Sequence, residues 1–237
     1  MPEPTFLLIH GSCHGAWCWD ALIAELAALG RQARAIDLPS HGADATPAHE
    51  VTLALYARAI VAAMDAPVVL VGHSMAGYPI TAAADLAPER IARLVYLCAY
   101  APMPGLSLAQ MRRLATTQPL IDAITVASDR ATFRFDPAKA VDRLYHDVAP
   151  AIAAAAVARL GAQPIAPQET PWQPGPSVTL PRSYIRCTDD RAIPPDFQET
   201  MTAGWPAECV HTLPTSHSPF LSAPKALALL LCQIADA

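Results

Sequence analysis

Short, mostly apolar runs alternate along this chain with longer stretches in which apolar residues recur every three or four positions. The runs lie at 6–10, 32–36, 67–71, 93–98, 183–187 and 209–213, and the clearest of them is Val68-Val69-Leu70-Val71. An unbroken β-branched run of this length reads as a strand buried on both faces of a parallel sheet. Between the runs, apolar spacing predicts helices over 17–29, 52–64, 75–86, 196–203 and 225–235. Gly30 stands where the first helix should end, and Pro88 closes the third. Six strands joined by helical crossovers predict an α/β protein with a mainly parallel sheet covered by helices on both faces.

The alternation pauses from about 102 to 181. Helical patterns occupy 107–116 and 137–160, and the coil beyond them holds Pro164, Pro167, Pro171, Pro174, Pro176 and Pro181. Prolines at that density forbid a central strand, and the segment is too long for a loop without structure of its own. The expected organisation is a core of 1–101 and 182–237 with 102–181 inserted as a helical cap.

At 237 residues the chain fits one domain with an insertion. A domain of this size buries roughly 70–75% of its unfolded surface and needs no metal or disulfide staple. A net charge of −5 and scattered Lys and Arg exclude the basic face that nucleic acid or an anionic membrane requires. The six cysteines (Cys13, Cys18, Cys98, Cys187, Cys209 and Cys232) lack the spacing of a zinc site or a CxxC pair. Free thiols in apolar strands fit a reducing compartment. Met1-Pro2-Glu3-Pro4 carries no basic n-region, and the longest apolar stretches are broken by Pro or charge. A cytoplasmic protein with no transmembrane helix is expected. Exposed cap surface could pair two subunits as a homodimer, though nothing in the sequence marks an interface.

The chemistry gathers at strand ends, where ligands bind on such sheets. Gly72-His73-Ser74-Met75-Ala76-Gly77 directly follows the run at 67–71. Ser74 thus sits at a strand-to-helix turn of the kind that presents a nucleophile, with a helix N-terminus behind it to favour developing negative charge. An ordinary turn with a buried serine is the alternative. The usual pattern is G-x-S-x-G, whereas here the fifth position is Ala76 and Gly77 comes one step later. A serine hydroxyl needs a base, and His217 follows the last strand. The base needs a carboxylate to hold its tautomer, and Asp189 and Asp190 follow the strand before it. From the residues alone either aspartate qualifies. Ser, then acid, then His is a recognised order for such a triad. The loop His10-Gly11-Ser12-Cys13-His14-Gly15 follows the first strand, so the amides of Ser12 and Met75 are candidate oxyanion donors. His10 and His14, four apart, could suggest a metal pair, but a strand-to-loop crossing splays that spacing. No metal or cofactor is expected. His73 is expected to pack or hydrogen-bond locally rather than act as base, and Asp37 to serve a turn or packing role.

With these residues placed, the chain resembles the α/β-hydrolase superfamily, and within it the plant methyl-ester hydrolases such as methyl salicylate esterases and the related hydroxynitrile lyases. The resemblance rests on residues 6–17, 72–77 and Cys187-Thr188-Asp189-Asp190-Arg191-Ala192-Ile193-Pro194 with Phe197-Gln198. It spans the core and is weak in the cap. It implies a catalytic set of Ser74, His217 and Asp190, the second acid of its block, with Ser12 and Met75 amides as oxyanion hole. Hydroxynitrile lyases place Thr where Gly11 stands and Lys where Ser218 stands. The expectation is therefore a cofactor-free serine carboxylesterase for small apolar or aromatic esters. A hydroxynitrile lyase, a lactonase or amidase, and a small-molecule receptor of the same fold are the alternatives.

Overall fold

The computed structural model describes residues 4–237. In chain order its first half comprises β1 (Thr5–Ile9), α1 (Asp20–Ala28), β2 (Ala33–Ile36), α2 (Leu53–Ala62), β3 (Val68–His73), α3 (Gly77–Leu86) and β4 (Ile91–Leu97). There follow α4 (Leu108–Arg112), β5 (Ile124–Val126), β6 (Thr132–Phe135), α5 (Pro137–Leu144), α6 (Pro150–Arg159), β7 (Gln163–Pro164) and α7 (Ala166–Glu169). The chain closes with β8 (Arg182–Cys187), α8 (Pro195–Thr202), β9 (Val210–Leu213), α9 (Pro219–Ser222) and α10 (Pro224–Asp236).

Six strands form one sheet in the order β2-β1-β3-β4-β8-β9, and every pairing in it is parallel. The unbroken apolar runs are explained by period-two alternation between two buried faces. Leu7, Ile9, Leu70, Leu94, Tyr96 and Tyr184 face one core, which Leu53, Tyr56 and Ile60 of α2, Ile80 of α3 and Phe197 of α8 complete. Phe6, Leu8, Val69, Val71, Val95, Leu97 and Ile185 face the other, against Leu22 and Leu26 of α1 and Leu227 and Leu231 of α10. The chain runs from β1 outward to β2, then returns to place β3 on the other side of β1. The loops after β1 and β3 therefore diverge at a switch point, where such sheets open a crevice.

Between β4 and β8 the helices expected at 107–116 and 137–160 are present but shorter. The first is capped by a reciprocal pair, Gln110 N–H to Ser107 Oγ and Ser107 N–H to Gln110 Oε1. The second is divided between α5 and α6, each begun by a proline in its first turn. This segment is not purely helical, as expected from the pattern, but also carries a three-stranded antiparallel sheet, β5-β6-β7. The strands hold two to four residues each, too short for period-two alternation to stand out. Pro164 lies in an edge strand, the position open to a residue without an N–H. Phe133 and Phe135 of β6, Leu144 at the end of α5 and Tyr145 just after it share a small core with Cys13 of the loop after β1. No helix among the described residues is long and apolar enough to cross a membrane.

Candidate active site

β3 ends at His73, and Ser74 turns the chain sharply with φ +56°. That left-handed backbone is costly for a side chain bearing Cβ and persists where surrounding structure imposes it. Here the Ser74 carbonyl accepts the Tyr100 N–H at 3.0 Å, and a single 3₁₀ turn at Ser74–Ala76 leads into α3. The departure from G-x-S-x-G also finds its reason. Ala76 is fully buried and accommodated, while a Cβ at Gly77 would lie 2.1 Å from the Tyr100 carbonyl oxygen. The close approach of helix to chain falls at 77, so that is where the side chain must be absent.

His217 follows β9, and its Nδ1 lies 2.7 Å from Asp190 Oδ2, with both side chains almost wholly buried. Asp190 Oδ2 also accepts from Gln198 Nε2 at 2.9 Å, while Oδ1 accepts the amides of Ala192 and Ile193 at 2.7 and 2.9 Å. Each lone-pair direction of the carboxylate is thus used, the condition under which a buried charge is tolerated. Gln198 cannot turn over cheaply, because its Oε1 accepts from Cys187 N–H and its Nε2 also donates to Ile193 carbonyl. Asp189 is exposed. Of the two adjacent aspartates, only Asp190 meets the imidazole.

The loop after β1 is held from three directions. His10 donates from Nδ1 to the Gly11 carbonyl and accepts Leu38 N–H at Nε2. His14 donates from Nδ1 to the Ser12 carbonyl and accepts the Tyr145 hydroxyl at Nε2 at 2.7 Å. Both rings are fully occupied as neutral imidazoles. Burial lowers the pKa of His10 well below the usual histidine value and that of His14 to about 4. Cys13, with φ +65°, donates its N–H to Gln163 Oε1, and its carbonyl accepts Gly161 N–H. Gln168 Nε2 donates to Ser12 Oγ at 2.9 Å. Residues 161–168 thus clamp the segment that carries the Ser12 amide. The Met75 amide lies in the first turn after Ser74, where N–H groups lack intrahelical acceptors. Asp37, after β2, accepts the amides of Ala16 and Ala43, the turn role among those expected of it.

His73 points back into the fold, donating from Nε2 to the His217 carbonyl at 2.8 Å. His73, Cys98 and His217 bring ligand-type atoms within 4.8 Å of one another. In that cluster His73 Nε2 and Cys98 Sγ both lie on the His217 carbonyl, while His73 Nδ1 is buried without a hydrogen-bond partner among the described residues. Burial raises the Cys98 thiol well above its ordinary pKa, which keeps it protonated and a poor metal ligand.

Ser74, His217, Ser12 and Met75 line one narrow cavity of about 30 Å³. No hydrogen bond joins the Ser74 hydroxyl to His217 Nε2 among the described residues, although both side chains line the same cavity; catalytic hydrogen bonds of this kind tighten as substrate binds. Leu108, Leu120, Ile124, Phe133 and Phe135, from the segment between β4 and β8, add apolar lining. Gln198, Gln163, Gln168 and Tyr145 were not singled out as positioning groups from sequence. Their partners lie 8, 150, 156 and 131 residues away. Only Gln198, inside the block at 187–198, had a local signal.

The profile of the alpha/beta hydrolase family matches residues 6–228. Methylesterase 7 of Arabidopsis thaliana is 30% identical, with 99% of this chain and 97% of that protein aligned. Esterase PIR7B of Oryza sativa subsp. japonica is 30% identical over 98% of this chain and 95% of its own length. Among solved structures, a pyrethroid hydrolase from Sphingobium faniae JZ-2 superposes with a TM-score of 0.84 at 27% identity, covering 99% of this chain and 98% of that one.

Proposed function

The chain belongs to the alpha/beta hydrolase family, and on that premise we propose that it is a serine carboxylesterase acting on small, largely apolar or aromatic esters. The observation that carries the reading is the buried Asp190–His217 pair at 2.7 Å, opening on the cavity that Ser74 lines. The relatives named methylesterase and esterase, and the pyrethroid hydrolase, point to the same bond type.

In this reading Asp190 accepts from Nδ1–H of His217, which leaves Nε2 as the base. His217 takes the Ser74 proton while Oγ attacks the ester carbonyl carbon, and the oxygen of the tetrahedral adduct is met by the Ser12 and Met75 amides. Collapse of the adduct breaks the bond to the alcohol, which leaves with the proton from His217. Water then gives its proton to the same nitrogen and attacks the acyl-enzyme, releasing the acid and restoring Ser74. The segment 102–181 acts as a cap that roofs the site and selects the acyl group. Cyanohydrin cleavage is disfavoured, because Gly11 and Ser218 supply neither a hydroxyl for the cyanohydrin oxygen nor an ammonium for departing cyanide. The reading includes a cytoplasmic location, supported by Cys13, Cys18, Cys98 and Cys187, buried thiols that form no disulfide. The test is hydrolysis of a panel of methyl, acetyl and longer-acyl esters by wild type and Ser74→Ala. The expected loss in kcat is roughly 10⁴–10⁶, and retention of most activity by the variant contradicts the mechanism.

A further inference from the structure

The apolar cavity has one cationic wall that the reaction above does not use. Arg112, the last residue of α4, lines it together with Tyr100, which follows β4. The Arg112 Nε is buried and has no hydrogen-bond partner among the described residues, and no carboxylate there forms an ion pair with it. Other arginines of the same segment differ, since Arg143 pairs with Asp142 and Asp122, and Arg134 lies outside the cavity lining. Tyr100 is 6% exposed, its ring packs on Phe197, and its hydroxyl takes no hydrogen bond from or to the described residues. The two groups line the same cavity. Burial raises the phenol's pKa, and the Arg112 charge opposes that rise.

A buried guanidinium Nε with no internal partner, on an otherwise half-buried arginine and beside a phenol hydroxyl with no partner among the described residues, leaves hydrogen-bonding capacity unused on the cavity wall, where buried polar groups are normally satisfied. The group that completes both is a carboxylate, which accepts from the guanidinium and from the phenol O–H at once. Leu108 and Leu120 share the lining and suit the methylenes of a short chain. We propose that Arg112 and Tyr100 form a carboxylate subsite, and that the preferred substrates are esters carrying a free carboxylate as well as the scissile ester. The inference rests on the esterase reading and deepens it by assigning a substrate class.

The test compares kcat/KM within matched ester pairs for wild type, Arg112→Gln, Arg112→Lys and Tyr100→Phe. Monomethyl adipate against methyl hexanoate places the carboxylate in the acyl half. O-acetylglycolate against ethyl acetate places it in the alcohol half. In one of the pairs wild type should favour the anionic ester. Arg112→Gln should lower that preference about 10–100-fold, the range of a lost charge-assisted hydrogen bond. Arg112→Lys should restore part of it, and Tyr100→Phe should lower it several-fold. The pair that responds identifies the half that carries the anion. Turnover of the neutral esters with the preference absent, or unchanged in Arg112→Gln, overturns the subsite and leaves the esterase reading standing. Failure of wild type to hydrolyse any of the four esters overturns both.

Discussion

Replacing Asp190 by Asn exchanges one oxygen of a carboxylate that accepts four hydrogen bonds. The side-chain oxygen of Asn must remain at Oδ1, because two backbone N–H groups, of Ala192 and Ile193, point there. The NH₂ then occupies the Oδ2 position, facing Gln198 Nε2 and His217 Nδ1. Gln198 is held by Cys187 N–H and Ile193 carbonyl, so relief by rotation sacrifices both contacts. His217 must instead accept at Nδ1, which moves its proton to Nε2 and removes the base from the face toward the cavity. A tautomer error of this kind costs about 10⁴ in kcat in serine hydrolases, equivalent to roughly 5.5 kcal/mol of transition-state stabilisation. The opposed donors add a stability cost of about 1–3 kcal/mol. The assay is steady-state hydrolysis of a methyl ester, with urea denaturation of the same samples to confirm folding. Asp189→Asn, at the exposed neighbour, should stay within a few-fold of wild type. A folded Asp190→Asn enzyme within tenfold of wild type, or equal losses at the two positions, refutes the reasoning.

Two further outcomes follow from packing and burial. Gly77→Ala places a methyl 2.1 Å from the Tyr100 carbonyl oxygen, a backbone atom that cannot swing aside, so a loss of about 3 kcal/mol is expected in chemical denaturation; a loss under 0.5 kcal/mol refutes the close-approach argument. His14 titrates near pH 4 in the folded chain and near 6.5 when unfolded, so the unfolded state binds more protons between those values. Stability therefore falls as pH drops from about 6.5 toward 4, by roughly 2–3 kcal/mol at pH 4.5 from this ring alone. Buried His10 and His73 push in the same direction, and a urea midpoint unchanged between pH 7.5 and 4.5 contradicts the assignment of His14 as a neutral buried ring.

What was legible in the sequence is what local periodicity encodes. The central strands read through because parallel strands buried on both faces are apolar at successive positions, as Val68–Leu70 and Leu94–Leu97 are, whereas the edge strands β2 and β9 are half-exposed and carry Arg34 and His211. The order of Ser74, Asp190 and His217 along the chain was visible as well, each residue standing just after a predicted strand. The sheet β5-β6-β7 was not, since strands of two to four residues lie below the length at which alternation registers. The short helix α9 escaped although Pro219 sits in its first turn, a start signal that a four-residue element gives little chance to support. Least legible were Gln163 and Gln168, which reach Cys13 and Ser12 across more than a hundred residues. Arg112 and Tyr100 likewise look like one helix charge and one core aromatic until folding sets both on the same cavity.

The central claim is that Ser74 carries the acyl group between two half-reactions. Rapid mixing with a p-nitrophenyl ester, quenching in acid and intact-mass measurement test it directly, with peptide mapping to locate the adduct. The account predicts a burst of about one p-nitrophenolate per chain and a matching acyl mass on the peptide holding Ser74, both absent in Ser74→Ala. Turnover without an adduct, or an acyl group mapped to another residue, contradicts it.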